Sequence, residues 1–310
     1  MHGLPVHITE AGEGPLVVLV HGWPETSYSW RHQIPALAEA GYRVVAPDGR
    51  GYGRTGRPEA VEEYTSLHAV GDIVGLIEAL GEENAVLVGH DWGGGLVMLA
   101  ASLRPDRIRA VVGLSVGHAP RGSGGGFGGG EIPPVEGLRA VLGDGFYVAH
   151  FQTPGAEAEL DRDPRTTMRR ILHGLSGEAE PWPAAVPPGG GLLDGLAEPT
   201  GPSAWLTEAD LDVYAAEFTR TGFAGGLNYY RNIDRNWSLL RAWNRTPVTR
   251  PALYIVGDRD VVYSDAHIAD TRAYVPGLRD VVVLPGCGHW TQQERPAEVN
   301  AALVDFLGSL

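Results

Sequence analysis

Residues 89–94 read Gly-His-Asp-Trp-Gly-Gly, "GHDWGG". They follow "NAVLV" (84–88), a short apolar run with the character of a buried strand. They precede "GLVMLAASL" (95–103), a helical pattern. A strand, a turn and a helix with glycine two residues to either side of a central residue form the nucleophile-elbow pattern. Small neighbours let the central residue take a strained backbone and project outward. The helix N-terminus behind it favours negative charge. Many proteins with this local shape carry serine at the centre; here it is Asp91. A carboxylate with an ordinary pKa of about 3.9 is already ionised near neutral pH. It needs no base to activate it and can attack an electrophilic carbon directly, forming an ester. The competing reading makes Asp91 a plain helix N-cap.

Two later stretches supply partners. "VVVLPGCGHW" (281–290) reads as a strand, a tight turn and His289. "LYIVGDRDVV" (253–262) reads as a strand followed by Asp258 and Asp260. Nucleophile, acid, histidine is the chain order of α/β hydrolases. His289 is the expected general base and Asp260 its orienting carboxylate. "HGWP" (21–24) follows the apolar run "PLVVLV" and occupies the loop that offers a backbone N–H to an oxyanion hole. The N–H groups of Trp23 and Trp92 are the expected pair. His90 and His21 are read as structural.

Around these motifs, short apolar runs alternate with helical patterns. The first block, 5–117, holds strands in "PVHIT", "PLVVLV", "YRVVAP", "AVLVG" and "IRAVVGLSV", with a helix near Leu67–Leu80. The last block, 246–310, holds "ALYIVG", "DVVVLPG" and a closing helix, "PAEVNAALVDFLGSL". Such alternation predicts an α/β fold with a mostly parallel central sheet flanked by helices. Between the blocks the pattern changes. Residues 118–245 open on "RGSGGGFGGG", lack clear strands, and carry helical patterns in "PRTTMRRILHGL" and "TEADLDVYAAEFTR". A Pro/Gly-rich loop, 181–203, separates those two helices. The expected division is a core of 1–117 and 246–310 with an inserted helical cap of 118–245. The cap would lie over the carboxyl ends of the strands, where such sheets place their sites. The glycine-rich runs fit either hinges or surface loops.

Bulk composition narrows the partners. The 310 residues carry a net charge of -14, which opposes binding to nucleic acid or anionic membranes. All 24 basic residues are arginine, so Schiff-base and P-loop chemistries, which need lysine, are excluded. A lone cysteine, Cys287, permits no internal disulfide and suits a reducing cytoplasm. The first residues, "MHGLPVHITEAGEG", have no basic or apolar leader pattern, and no apolar run approaches a membrane span. A soluble cytoplasmic protein is the expectation.

The chain resembles the soluble type of α/β-hydrolase-fold epoxide hydrolase. The stretches that carry the likeness are "HGWPETSYSWRHQIPAL", "PDGRGYGRTGRP", "GHDWGG", "FYVAHFQTPGAEAEL", "GLNYYRNIDRNW", "VGDRDVV" and "GCGHWTQQERPAEVN". They span nearly the whole chain, although it begins almost at the second of the family's two N-terminal strands. The resemblance implies two lid tyrosines that donate to the epoxide oxygen. They fall on Tyr147, aligned on "FQTPG", and Tyr230, aligned on "NYYRN". Tyr229 is the adjacent competitor, since spacing alone can slip by one residue. The alternative for all three is lid packing. Trp30, Phe151, Tyr229 and Trp290 are expected to line an apolar pocket. The implied reaction turns a small apolar epoxide and water into a vicinal diol through an ester on Asp91. It needs no metal and no organic cofactor. A homodimer is compatible with the sequence.

A haloalkane or haloacid dehalogenase on the same scaffold is the first alternative, because it too uses an aspartate nucleophile. Halide leaves as a stable anion and needs only weak donors such as indole N–H. An epoxide oxygen leaves as a basic alkoxide and needs a proton, which tyrosine can supply. A non-catalytic ligand-binding protein of this fold is the second alternative. Two other motifs are set aside. "GLSVG" (113–117) fits G-x-S-x-G, but no helix follows, so Ser115 is read as a strand end. "GYGRTG" (51–56) fits G-x-G-x-x-G but opens no apolar helix, which argues against a dinucleotide site.

Overall fold

The computed structural model of the chain describes residues 3–118, 131–201 and 203–310. Its centre is a seven-stranded sheet: β1 (Ile8–Ala11), β2 (Leu16–Val20), β3 (Arg43–Pro47), β4 (Ala85–His90), β5 (Ile108–Leu114), β6 (Ala252–Gly257) and β7 (Leu278–Leu284). The spatial order is β1-β3-β2-β4-β5-β6-β7. β1 pairs antiparallel with β3, and every other neighbouring pair is parallel. The run "PVHIT" becomes a strand only from Ile8. Before it, the Pro5 and His7 carbonyls instead accept from the N–H groups of Gly56 and Asp48.

Parallel strands covered on both faces read as nearly unbroken apolar runs, and β2 and β4 are buried along their whole length. Alternate residues still serve different faces. Val17 and Leu19 pack with Trp30, Leu37 and Leu303; Leu16, Val18 and Val20 pack with Ile73, Ile77 and Val97. Each fully buried Leu or Val contributes on the order of 1.5–3 kcal/mol.

Between β5 and β6 the named elements are all helical. Pro164–Gly174 and Glu208–Thr221 form the helices expected there, joined by Pro134–Leu142, Tyr147–His150, Glu157–Leu160, Ala224–Arg231 and Ile233–Leu239. Helix Glu208–Thr221 starts in a capping box, with Thr207 and Asp210 each bonding the other's backbone N–H. The stretch 181–203 is mainly loop, with a short 3₁₀ turn at Leu193–Gly195. The glycine-rich run 121–130 lies outside the described residues.

The apolar helical faces merge with one side of the sheet into one core that includes Leu172, Tyr214, Phe218 and Tyr230. Among the described residues, no helix is long and apolar enough to cross a membrane.

Candidate active site

The carboxyl ends of five parallel strands bring the motifs together. β2 runs into His21-Gly22-Trp23, β4 into Asp91, β5 into Ser115, β6 toward Asp260, and β7 toward His289. Asp91 has φ 53° and ψ −119°, a conformation rare for a residue with a side chain. Its helix, Trp92–Leu103, receives no side-chain cap from it, so the N-cap reading fails. The turn closes only because its neighbours lack Cβ atoms: one on Gly93 would lie 2.0 Å from the Val20 carbonyl oxygen, and one on Gly22 2.4 Å from the Asp91 Cβ.

The Trp23 N–H donates to Asp91 Oδ1 at 2.8 Å. The other oxygen, Oδ2, faces His289 Nε2 at 3.7 Å. The opposite ring nitrogen, Nδ1, donates to Asp260 Oδ1 at 2.9 Å. Asp258 takes no part in this contact; its Oδ1 accepts from the Gly286 N–H and braces the turn before His289.

Burial raises the pKa of Asp91, opposed by the charges of His289 and His90 and by the N–H groups of Trp23 and Trp92. Burial acts on Asp260 in the same sense, but His289 and the Ser115 hydroxyl outweigh it and hold that carboxyl low. On His289 burial disfavours the cation, yet Asp260 and then Asp91 win and raise the pKa to about 9.

A cavity of about 400 Å³ opens above Asp91. Trp92, Tyr147 and Tyr230 line it together with Asp91. Burial pushes both phenols well above their ordinary range, and the charge of Asp91 adds to that, so both remain protonated donors. The two rings meet edge-on with centroids 6.0 Å apart. Tyr229 points elsewhere. Its hydroxyl donates to the Arg50 carbonyl at 3.1 Å, and it borders a separate void of about 40 Å³.

None of the four expected pocket residues lines the large cavity. Trp30 is fully buried on the other face of the sheet, among Val44, Leu37 and Leu303. Phe151 stands behind the site, against Trp23, Tyr147 and Tyr230. Trp290 wedges against His90 and His289 and donates its indole N–H to the Leu172 carbonyl. Proximity in sequence to a motif does not determine which way a ring faces. The walls come instead from Leu99, Leu138, Phe146, Trp237, Leu240 and Trp243, with His118 and His267 toward the other end.

Sequence reasoning read His90 as structural but passed over its buried partner, Glu25. His90 Nδ1 lies 2.7 Å from Glu25 Oε2, and its Nε2 donates to the His289 carbonyl at 2.8 Å. Glu25 also accepts from Gly22 N–H, Gln292 Nε2 and Gln293 Nε2. The pair ties the "HGWP" loop, the elbow and the histidine turn into one unit. The available signal was position alone: Glu25 directly follows "HGWP" and His90 directly precedes Asp91. Among the described residues, no group of three or more His, Cys, Asp or Glu side chains could hold a metal ion.

Comparison with known proteins bears on the family and the fold. The α/β hydrolase fold family matches residues 15–124. "Epoxide hydrolase A" of Mycobacterium tuberculosis is 46% identical, covering 100% of this chain and 96% of its own. "Epoxide hydrolase 1" of Siraitia grosvenorii is 41% identical over 99% of this chain and 96% of its own. The solved structure of an epoxide hydrolase from an endophytic Streptomyces superposes with a TM-score of 0.91 at 49% identity, covering 98% of this chain and 92% of that one. Likeness at that level over the whole chain places this protein in the epoxide hydrolase family of the α/β-hydrolase fold.

Proposed function

We propose that this chain hydrolyses a small, neutral, apolar epoxide to a vicinal diol through a covalent ester on Asp91. The observation that carries the reading is the placement of Asp91. One carboxylate oxygen is held by the Trp23 N–H, and the other faces His289 beneath a cavity lined by two tyrosines.

In the first step Asp91 Oδ2 attacks an epoxide carbon. The C–O bond of the ring breaks, and Tyr147 or Tyr230 gives its proton to the leaving oxygen, its partner hydrogen-bonding the same atom. The product is a hydroxyalkyl ester. Esterification removes the negative charge of Asp91, which is one of the causes raising the pKa of His289. His289 then passes its proton through water to the tyrosinate and becomes a competent base. It takes a proton from water, and the oxygen attacks the Asp91 carbonyl carbon. The resulting oxyanion, at Oδ1, is received by the N–H groups of Trp23 and Trp92. Collapse expels the alkoxide, which takes the proton of the newly formed Asp91 acid and leaves as the diol, with Asp91 again a carboxylate and His289 again protonated.

In this reading residues 118–245 act as a cap that carries both tyrosines and closes the apolar cavity. Asp91 is the one acidic or basic side chain besides histidine on the described cavity wall, which favours neutral substrates. A cytoplasmic setting fits the lone, buried Cys287.

The test is a parallel assay on styrene oxide, a terminal alkyl epoxide and a bromoalkane, with Asp91→Ala as control. Diol without bromide, lost in the variant, supports the reading. Bromide without diol sinks it in favour of a dehalogenase.

A further inference from the structure

β5 ends in a three-residue turn, Leu114-Ser115-Val116. The Val116 N–H donates back to the Leu114 carbonyl at 2.7 Å, and Ser115 between them has φ 66°. An i→i+2 bond around a positive φ is a γ-turn of the rare, strained kind. Nothing about ending a strand requires it; glycine, which stands at 113 and 117, would hold that φ without strain.

The turn aims the Ser115 hydroxyl at the acid and the base together. Ser115 Oγ donates to Asp260 Oδ2 at 2.6 Å and lies 3.0 Å from His289 Nδ1. The contacts are mutually consistent. The hydroxyl has one hydrogen, used on Asp260, and a lone pair that faces the Nδ1–H shared with Asp260 Oδ1. Ser115, Asp260 and His289 thus close a triangle, and Ser115 is fully buried within it.

The same turn holds the nucleophile. The Leu114 carbonyl also accepts from the Asp91 N–H at 3.2 Å. The Val116 carbonyl oxygen packs where a Cβ on Gly94, in the first turn of the helix behind Asp91, would lie only 2.6 Å away. On the far side the turn is pinned by the Ser115 N–H to the Ile255 carbonyl at 2.8 Å, and by the Tyr254 hydroxyl to the Ser115 carbonyl at 2.9 Å.

We propose that Ser115 is a positioning residue for the hydrolytic half of the reaction: its hydroxyl fixes the Asp260 carboxylate and the Nδ1–H tautomer of His289. This rests on the ester reading given above. Ester formation uses Asp91 and the tyrosines, none of which Ser115 touches through its side chain. Ester hydrolysis uses His289, which it does touch. The two half-reactions are therefore expected to respond differently.

The experiment follows both steps in single turnovers of the full chain with styrene oxide, quenching and weighing the Asp91 peptide by mass spectrometry. Wild type, Ser115→Ala, Ser115→Gly and His289→Gln are compared. Both serine variants are expected to form the ester within about twofold of the wild-type rate. They should hydrolyse it on the order of 10- to 100-fold more slowly, the loss matching a hydrogen bond to a charged group. Ser115→Gly relieves the φ without restoring the hydroxyl, so it separates strain from hydrogen bonding. Wild-type hydrolysis by Ser115→Gly would overturn the proposal, as would an equal fall in both half-reactions. Diol production with no ester in any protein, His289→Gln included, would instead reject the ester reading itself, and this inference with it.

Discussion

His289 Nε2 stands 3.7 Å from Asp91 Oδ2, too far for a good hydrogen bond and too close for an unrelated pair. The gap matches a base that acts on a water beside the carboxylate rather than on the carboxylate itself. His289→Gln should therefore keep ester formation and lose turnover. Steady-state diol production should fall by about 10²–10⁴, the usual worth of general base catalysis. Intact-mass measurement after mixing with an epoxide should show stoichiometric adduct. Unmodified protein that still makes diol would remove His289 from the reaction.

Tyr147 and Tyr230 line the cavity with Asp91, whereas the Tyr229 hydroxyl is committed to the Arg50 carbonyl. Single Tyr→Phe substitutions should separate them. Tyr147→Phe and Tyr230→Phe are each expected to slow ring opening by about tenfold or more, and the double variant should abolish it. Tyr229→Phe should leave ring opening nearly unchanged and cost about 1 kcal/mol of stability, the worth of one buried hydrogen bond. Presteady-state ester formation and thermal unfolding, measured on all four proteins, check both halves of this prediction.

The raised pKa of His289 also makes stability depend on pH. Its folded value is about 9 against an ordinary 6.5, so the folded state binds the proton more tightly than the unfolded chain. That contribution is full below about pH 6.5 and is lost as pH rises through 9. It corresponds to on the order of 3 kcal/mol. Wild type should lose more thermal stability than His289→Gln across this window. Parallel Tm-against-pH curves for the two proteins would show that the histidine carries no such linkage.

How much of this was legible in the sequence depended on whether backbone or side-chain direction was in question. The elbow at Asp91 could be read because its glycines answer a local need: a Cβ on Gly89 would lie 2.2 Å from the Gly93 carbonyl oxygen. The strand runs were equally local, whereas the meeting of Asp91, Asp260 and His289 was read from their chain order. Ser115 was passed over because its G-x-S-x-G context lacked a helix; its position against Asp260 comes from a positive φ that composition does not announce. The cavity walls were missed for a similar reason. Trp237 and Trp243 lie far in sequence from Asp91 and reach it only through the packing of the helices between β5 and β6.

Trp30 and Trp243 turn that difference into a prediction. Trp30 is fully buried beneath the sheet and does not reach the cavity. Trp30→Ala should cost about 3–5 kcal/mol of stability, as large aromatic truncations in a core do. The relative rates on small and bulky epoxides should stay unchanged. Trp243 is 39% exposed and lines the cavity. Trp243→Ala should cost little stability and change KM for bulky apolar epoxides by about 10-fold, with styrene oxide affected less. Thermal unfolding and kcat/KM on an epoxide series of increasing chain length distinguish the two. A specificity change in Trp30→Ala at temperatures where it is fully folded would return that residue to the pocket wall.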